Sequence, residues 1–486
     1  MKIAGLDIGT TGCKLTVFDE TGVQLVKAYR DYPVRRTVNG HEIDASAMME
    51  SVYAVIKEIA EQHPDVAGIG VTSFGETFVM TDIEGNPLHN AMLYTDPRGS
   101  EEREELERKL GAEVITNITG LVPHEMYSIS KIMWIKKHMP ETYKSAARIQ
   151  LIEDFVVRKL TGKSQINYSL ASRTMAFDFH TLTWSEKIFN AAGIDTSLMS
   201  KPVPMGTSAG TITRCTAQLT GLNENCVIVS ACHDQVSAVV GAGVFDGSAA
   251  VDGAGTVECI TPVYDSLPDI SVMAKGRFSV VPYVIPGKYV AYAFLYTGGA
   301  LIKWAMDTFG KGETNESMEE AYGRDEPTGL LVLPHFEGAA TPYMDIGSKG
   351  AIIGLMTSTT AADLYRACME GVVYEMRLNY ESLSETGVRF KKLIATGGGA
   401  KSKIWMQMKA DVLNLPITVL DTVDAGTIGS AMLTGIAVGL FKDLESAAAC
   451  LVRKKETYYP RAEMHEKYMK IYERYKKVYN AVRPLI

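Results

Sequence analysis

Two stretches of this chain share one plan: an apolar run, an aspartate, a turn of small residues and a second apolar run. The first spans 2–18 with Asp7 before its turn, and the second spans 249–260 with Asp252 in the same place. This pattern predicts two β-hairpins with tight turns. Glycine lets backbone N–H groups approach an anion, and threonine hydroxyls add donors. Two such turns on opposite sides of a cleft would hold a polyphosphate from both sides.

Length and composition bound the class of protein. The 486 residues predict two or three domains, and 46% hydrophobic residues with 22% charged residues are typical of a globular chain. The net charge of −8 and the lack of a basic run argue against binding to nucleic acid or to an anionic membrane. The seven cysteines form no C-x-x-C pair, and the N-terminus has no signal-peptide layout. We therefore expect a cytoplasmic protein with reduced thiols.

The pattern of apolar runs predicts an α/β protein. The N-terminal part indicates three strands, a helix over 45–62 and a strand over 66–72, and a related pattern begins near 249. Later, a strand over 393–396 runs into three glycines at 397–399. Glycines at the carboxyl end of a strand are where α/β proteins bind ligands. A tyrosine stripe over 464–482 fits a helix packed on its own domain better than a partner-binding surface.

Several polar residues follow apolar strands. Asp234 comes after the run 227–232, so it is either a catalytic base or the N-cap of the helix that follows. Glu76 and Gln235, taken with Asp234, favour a polar pocket for a sugar or polyol, whereas His233 fits a structural role. No P-loop sequence is found, so ATP binding would need the two-hairpin mode.

Two further motifs carry a resemblance to a known family. Residues 126–138 fit the first signature of the FGGY carbohydrate kinases, which belong to the actin-like ATPase superfamily. Residues 350–355 and 363–370 resemble the second signature, with a mild departure at Cys368. The resemblance covers essentially the whole chain. It implies an α/β fold of two actin-like, ribonuclease H-like lobes around a central cleft. Residues 1–246 would hold the sugar and the base, and residues 247–486 the nucleotide.

The resemblance also implies a role for individual residues. Asp234 matches the catalytic base, and Asp7 matches the carboxylate that organises a metal ion, Mg²⁺ in this family. The residues that correspond to substrate-binding positions are Phe74, Gly75, Glu76, Asp96, Arg98 and Gln235. The residues that correspond to ATP-binding positions are Thr10, Thr11, Lys14, Gly255, Thr256, Gly298, Gly299, Gly398, Gly399 and Ser402.

The identity of the substrate depends on the segment Phe74–Gly75–Glu76. Glycerol-type kinases have arginine where this chain has Gly75, and xylulose-type kinases have a His-Gly-Gln run there. We expect Gly75 to leave more space and one fewer cation, which favours a four- to six-carbon ketose or polyol, xylulose-like, phosphorylated on a primary hydroxyl. Glycerol, fuculose, erythritol and gluconate kinases are the alternatives. A non-catalytic actin-like ATPase and a sugar-sensing regulator belong to other classes, and a homodimer is an open alternative.

Overall fold

The computed structural model describes residues 1–37, 40–422 and 424–486. Their strands are β1 Lys2–Ile8, β2 Gly12–Phe18, β3 Gln24–Asp31, β4 Val34–Thr37, β5 Gly40–Ile43, β6 Val66–Ser73, β7 Phe78–Thr81, β8 Ala91–Met92, β9 Arg148–Leu151, β10 Gln165–Asn167, β11 Phe177–Asp178, β12 Thr183–Trp184, β13 Lys201–Val203, β14 Thr207–Thr211, β15 Val227–His233, β16 Ala250–Ala254, β17 Glu258–Tyr264, β18 Ser279–Pro282, β19 Tyr289–Leu295, β20 Leu331–Leu333, β21 Ala351–Ile353, β22 Leu393–Thr396, β23 Ile417–Leu420 and β24 Lys454–Tyr458.

The α-helices of the described residues are α1 Ala45–Ala60, α2 Ser100–Leu110, α3 Ala112–Thr119, α4 Ser128–His138, α5 Pro140–Ser145, α6 Ile152–Thr161, α7 Tyr168–Ser172, α8 Glu186–Ala192, α9 Arg214–Thr220, α10 Asp234–Gly241, α11 Ile270–Lys275, α12 Gly299–Phe309, α13 Asn315–Tyr322, α14 Ala361–Glu385, α15 Lys403–Leu413, α16 Ala425–Ala437, α17 Leu444–Leu451, α18 Ala462–Tyr475 and α19 Val478–Val482. Short 3₁₀ turns cover Thr196–Leu198, Gly398–Lys401 and Arg483–Leu485.

The chain divides into two compact units. Unit 1 consists of Met1–Phe245, Val280–Tyr289 and Ala425–Val452, and unit 2 consists of Asp246–Ser279, Val290–Asp424 and Arg453–Ile486. The assignment of residues 1–246 and 247–486 to a sugar domain and a nucleotide domain remains a prediction. Unit 1 also contains the later segments Val280–Tyr289 and Ala425–Val452, so one boundary near residue 246 does not separate the two units.

The sheet of unit 1 places several loops at one edge. Its strand order is β14-β15-β6-β1-β2-β3. Strand β6 runs parallel to both β1 and β15, with Ser73 beside Ile8 and beside His233. The carboxyl ends of three parallel strands therefore lie side by side. In α/β proteins this edge is where ligands bind.

The helix that follows β15 is held by a close approach of two backbones. A Cβ atom on Gly241 of α10 would lie 1.9 Å from the carbonyl oxygen of Ala425, and one on Gly429 of α16 would lie 1.9 Å from that of Ser237. Ser237 also donates its hydroxyl to the Gly426 carbonyl at 2.7 Å. Only glycine fits these two positions, so α16 fixes the direction in which α10 leaves the sheet.

Unit 2 contains the second hairpin. Its β16 pairs antiparallel with β17 and parallel with β22, and within the unit the strand order is β19-β17-β16-β22-β23-β24. The predicted tyrosine helix consists of two helices, α18 and α19. Tyr468, Tyr472 and Tyr475 are buried, and Tyr475 donates its hydroxyl to Glu375 of α14. The interpretation that this stripe packs on its own domain is confirmed. Among the described residues, none of the helices has the length and apolarity needed to span a membrane.

Candidate active site

Asp234 lies where β15 ends and α10 begins. Its Oδ1 accepts the Gln235 N–H at 2.6 Å and lies 3.1 Å from Nε2 of His233. The N-cap residue is His233 rather than Asp234, so Asp234 is the first residue of the helix. Burial, followed by repulsion from Asp7, raises the pKa of Asp234 to about 8. Of its side chain, 29% remains exposed, so this carboxyl is both desolvated and reachable.

His233 is buried, and its environment keeps the imidazole neutral. Its N–H donates to the hydroxyl of Ser169 at 2.8 Å. Burial, with a smaller contribution from the charge of Arg173, holds the pKa of His233 well below its ordinary value. A neutral imidazole next to Asp234 fits the predicted structural role.

Glu76 occupies a strained turn next to Asp234. Its φ is +62°, and the Thr77 N–H donates across it to the Gly75 carbonyl at 2.7 Å, which is the geometry of a γ-turn. Its carboxylate is 4% exposed and is paired with Arg173, whose Nε donates to Oε1 at 2.6 Å. A left-handed conformation in a non-glycine residue costs energy and tends to occur at functional sites.

The space at Gly75 is filled by Arg173. A Cβ atom on Gly75 would lie 2.8 Å from Cγ of Arg173 and 3.2 Å from Cδ2 of His233. The expectation that Gly75 leaves an empty volume and one fewer cation is therefore wrong. Arg173 directly follows α7, is 97 residues from Glu76 along the chain, and places its guanidinium 5.2 Å from the centre of the Tyr127 ring.

Two further residues belong to this group although the sequence did not indicate them. Burial raises the pKa of Tyr94, with smaller contributions from Glu76 and then Asp234, which places Tyr94 near both carboxylates. Burial also lowers the pKa of Lys131, against attraction to Asp96, to about 8. The side chain of Lys131 is fully buried, and its ammonium donates to the Glu125 carbonyl.

Asp96 and Arg98 bind each other. Asp96 Oδ1 accepts from the N–H and Nε of Arg98 at 3.0 and 2.8 Å, and Oδ2 accepts from the His41 N–H and from Nη2 of Arg98 at 2.8 and 2.6 Å. Arg98 also donates to Glu42 at 2.8 Å and stacks over Trp134. Burial alone would raise the pKa of Asp96, but the hydrogen bonds from Arg98 and His41 have the larger effect, and the pKa of this carboxyl is lowered. This network fixes the loop, and contact of Asp96 or Arg98 with substrate remains a prediction.

Of the other predicted substrate residues, Phe74 and Gln235 flank the carboxylates. Phe74 is 4% exposed, belongs to the hydrophobic core of unit 1 and donates its N–H to the Ile8 carbonyl at 3.1 Å. Gln235 is half-buried in the first turn of α10. The structure thus brings Phe74, Gly75, Glu76, Asp234 and Gln235 to one edge of the sheet.

The first hairpin brings four predicted residues together. Asp7 of β1 lies opposite Lys14 of β2, and Lys14 Nζ is 3.0 Å from Asp7 Oδ2. Thr10 and Thr11 form the turn between them, closed by a bond from the Gly9 N–H to the Gly12 carbonyl at 2.9 Å. Asp7 also lies near Asp234, because its charge contributes to the raised pKa of that residue.

In unit 2, the second hairpin is tied to the start of α12. The Gly298 N–H and Ala300 N–H donate to the Thr256 carbonyl at 2.9 and 3.1 Å, and the Gly299 N–H donates to the Gly255 carbonyl at 2.9 Å. A Cβ atom on Gly299 would lie 2.7 Å from the Gly255 oxygen. These four predicted residues therefore form one backbone assembly.

The glycines after β22 lie beside that assembly. Gly397 has a φ of +93°, and a Cβ atom there would lie 2.5 Å from the Ala254 oxygen. Gly398 faces open space, and Gly399 packs on Trp405 and Ala254. Ser402 caps α15 by accepting the Trp405 N–H at 3.2 Å, and donates to Glu319 at 3.0 Å. Contact of Ser402 with a nucleotide remains a prediction.

Behind the second hairpin lies a charged cluster that the sequence did not indicate. Lys409 Nζ lies 2.7 Å from Asp252 Oδ2 and 2.5 Å from Glu258 Oε1, and all three side chains are fully buried. Burial disfavours the ammonium, but the two carboxylates outweigh this effect and raise the pKa of Lys409. Burial and repulsion from Asp252 raise the pKa of Glu258 well above its ordinary value.

Comparisons with known proteins identify the family. The model of the N-terminal domain of the FGGY family of carbohydrate kinases matches residues 2–241, and that of the C-terminal domain matches residues 255–438. The chain belongs to the FGGY family of carbohydrate kinases. The kinase is a phosphotransferase with an alcohol acceptor and with ATP as the donor that the family implies.

Relatives over the full length agree with this assignment. The kinase is 26% identical to the xylulose kinase of Lactococcus lactis, over 97% of this chain and 95% of that one. It is 29% identical to the glycerol kinase of the same organism, over 99% and 98%. The crystal structure of ligand-bound xylulose kinase from Lactobacillus acidophilus matches with a TM-score of 0.92 at 22% identity, covering 99% and 98%. The fold of two α/β domains, as in actin-like ATPases, is confirmed.

The Mg²⁺ ion expected with ATP fits the donor set of the first hairpin. Within the described part of the chain no group of three His, Cys, Asp or Glu side chains could hold a metal alone. Mg²⁺ in kinases keeps several waters and is bound through one or two carboxylates plus the phosphates of the nucleotide. Asp7, with 15% of its side chain exposed, is a suitable single carboxylate for that arrangement.

Proposed function

We propose that the kinase transfers the γ-phosphoryl group of ATP to a primary hydroxyl of a four- to six-carbon ketose or polyol, xylulose-like. One observation supports this most directly. Among the described residues, Asp234 Oδ2 and Glu76 Oε2 accept no hydrogen bond from the protein, while the partner oxygen of each carboxyl is engaged. Two neighbouring acceptors with unused lone pairs suit vicinal substrate hydroxyls.

Asp234 is the proposed base. The N–H of Gln235 and the neutral imidazole of His233 hold Oδ1, so Oδ2 remains to accept the proton of the attacking hydroxyl. A base is most effective when its pKa lies near the operating pH, and burial brings that of Asp234 to about 8. Phosphoryl transfer otherwise needs alignment and neutralisation of charge rather than covalent chemistry.

Glu76 is the proposed acceptor for a second substrate hydroxyl. Arg173 holds its Oε1, and the γ-turn fixes its backbone, so Oε2 has a defined direction. A buried carboxylate left without a partner is costly, and a substrate that lacks the matching hydroxyl leaves it so. This arrangement supports selection by hydroxyl pattern, to which Gln235 and the Asp96–Arg98 loop would contribute.

Nucleotide binding is proposed for the other predicted residues. Thr10, Thr11 and Lys14 of unit 1 would bind phosphate oxygens, and Asp7 would hold Mg²⁺, which supplies charge neutralisation when bound. In unit 2, Gly255, Thr256, Gly298 and Gly299 would hold phosphates, and Gly398, Gly399 and Ser402 would line the adenosine pocket. Glycines at a helix start and after a strand are suited to both tasks.

The preference for a ketose is supported by named relatives rather than by the space beside Gly75. Arg173 fills the space beside Gly75, so that space does not distinguish glycerol from longer substrates. The support that remains is similarity to proteins named xylulose kinase over 97% of this chain. The comparison with a glycerol kinase at 29% identity makes glycerol the second candidate.

The test is kcat/KM with Mg²⁺ and ATP for xylulose, ribulose, fuculose, erythritol, gluconate and glycerol. We expect xylulose or ribulose to exceed glycerol by at least about tenfold. Glycerol as the best substrate would replace the ketose assignment. Asp234→Asn and the exposed control Asp195→Asn are assayed with the best substrate. If every substrate fails with wild-type protein while ATP and sugar still bind, the chain is a regulator or a non-catalytic ATPase.

A further inference from the structure

A pocket on unit 1 lies outside every group of residues assigned above. It has a volume of about 290 Å³ and lies where α6 meets β9 and the turn that follows β7. Its lining includes Glu84, Gly85, Gln150, Phe155, Arg158 and Lys159. Two consecutive cationic side chains of one helix therefore face the same pocket.

Arg158 is held in place by neutral partners. Its Nη1 donates to the Thr81 hydroxyl at 2.9 Å and to Gln150 Oε1 at 3.2 Å. Thr81 and Gln150 are fully buried, on β7 and β9. These bonds fix the guanidinium and leave its Nε and Nη2 without a hydrogen-bond partner among residues 1–37, 40–422 and 424–486. An arginine oriented in this way has a donor edge prepared for an external acceptor.

Lys159 converges on the same place. A Cβ atom added to Gly85 would lie 3.7 Å from Lys159 Nζ and 3.9 Å from both Cζ and Nη1 of Arg158. Gly85 has a φ of +85°, so the turn brings no side chain into that position. One small acceptor group near this point would reach both cations.

The carboxylates nearby do not neutralise these cations. In the part of the chain that the structure describes, neither Arg158 nor Lys159 has an ion pair within 4.0 Å. Asp82 accepts the Asn86 N–H at 2.8 Å and the Asn86 side-chain amide at 3.1 Å. Burial, followed by repulsion from Arg148, lowers the pKa of Arg158, and burial, followed by repulsion from Arg158, lowers that of Lys159. A bound anion would relieve both repulsions.

We propose that this pocket binds a tetrahedral phosphate group through Arg158 and Lys159. Arginine matches phosphate with two parallel donors, and lysine adds a point charge. The source is either inorganic phosphate or the phosphoryl group of a small phosphate monoester. The volume exceeds that of the phosphate alone, and Glu84 on the rim could accept hydroxyls of a monoester.

Binding is measured by isothermal titration calorimetry with inorganic phosphate at constant ionic strength. Phosphate could also enter the ATP site, so the decisive comparison is between the wild-type protein and variants that change only the pocket or only exposed lysines. The variant R158Q/K159Q removes both cations, and the control K187Q/K201Q removes the same charge from exposed lysines outside the pocket. We expect wild-type protein and the control to bind one phosphate more than R158Q/K159Q does. Glycerol 1-phosphate binding at least about tenfold more tightly would identify a monoester, and equal affinity would identify free phosphate.

Further variants test whether each protein folds normally and what each cation contributes alone. R158Q could lose its bonds to Thr81 and Gln150, so K159Q alone and R158K are measured, with thermal unfolding of each variant. K159Q should weaken phosphate at least about tenfold without lowering the unfolding temperature. Equal stoichiometry and affinity in wild type, K159Q and R158Q/K159Q would overturn the proposal, as would the same loss in the control. Catalytic turnover without added phosphate should stay within about twofold in K159Q.

Discussion

The buried cluster behind the second hairpin makes a sharp prediction about stability. Replacing Lys409 by methionine keeps the approximate volume but removes the cation that lies 2.7 Å from Asp252 and 2.5 Å from Glu258. One carboxylate is then buried without its partner. Breaking a buried ion pair in this way costs about 3–5 kcal/mol. The contact of the ammonium with the Trp405 ring, at 4.7 Å from its centre, is lost as well.

This loss should appear as a lower unfolding temperature. For a unit of the size of unit 2, 1 kcal/mol corresponds to about 2–4 °C, so we expect a decrease of about 6–20 °C. Differential scanning calorimetry resolves the transition, with the exposed Lys401→Met as the control. Adding D252N and E258Q to K409M should recover at least half of the loss, because no charge then remains buried. A decrease of less than about 2 °C in K409M would refute the electrostatic reasoning.

The same variant should show a defined dependence on pH. Without the cation, the attraction that lowers the pKa of Glu258 is lost, so its folded-state pKa rises further above the unfolded one. A group with a raised folded-state pKa loses its stabilising contribution as the pH rises. The unfolding temperature of K409M should therefore fall further below wild type at pH 8 than at pH 5.5. An equal difference at both values would contradict this mechanism.

Three further predictions concern catalysis. Asp234→Asn should lower kcat by about two to four orders of magnitude, the range for loss of a general base, with an unfolding temperature within about 2 °C of wild type; activity within a few-fold of wild type would remove the assignment. A general base must be deprotonated, and the pKa of Asp234 is about 8, so kcat/KM for the sugar should rise with pH up to about 8 and then level off. A flat profile between pH 6 and 8 would contradict the assignment of Asp234 as the base. Gly75→Ala places a methyl group 2.8 Å from Arg173 Cγ, which should displace that side chain at a cost of about 1–3 kcal/mol. The sugar KM should then rise about 5- to 150-fold with little change in the ATP KM. Equal changes in both constants would show that the substitution does not act locally.

Local sequence predicted the elements that carry the site. Strand Leu393–Thr396 has the predicted bounds, and both hairpins form with their turns at the predicted places. Short-range patterns predict these elements, because each is an apolar run that ends at glycine or aspartate. The glycines after that strand lead into a 3₁₀ turn, Gly398–Lys401, before Ser402 caps α15.

Long-range contacts could not be predicted from one sequence. Arg173 fills the space beside Gly75 although it is 97 residues from Glu76, and no local pattern marks it. Lys409 is likewise 157 residues from Asp252. From the sequence alone, Lys409 would be expected on the exposed face of a helix. Only the packing of α15 against the second hairpin shows that it is buried. The site residues that were missed are those positioned by tertiary contacts.

Backbone hydrogen bonds join the second hairpin to the start of α12. Three amide hydrogens of residues 298–300 hold the carbonyls of Gly255 and Thr256, so these bonds need no particular side chain in the turn. A saturation library should tolerate exchange at Thr256 and Val257 as far as folding is concerned. It should reject every side chain at Gly299, where a Cβ atom would lie 2.7 Å from the Gly255 oxygen. The side chains that the turn presents could thus change while the backbone that holds the turn stays the same.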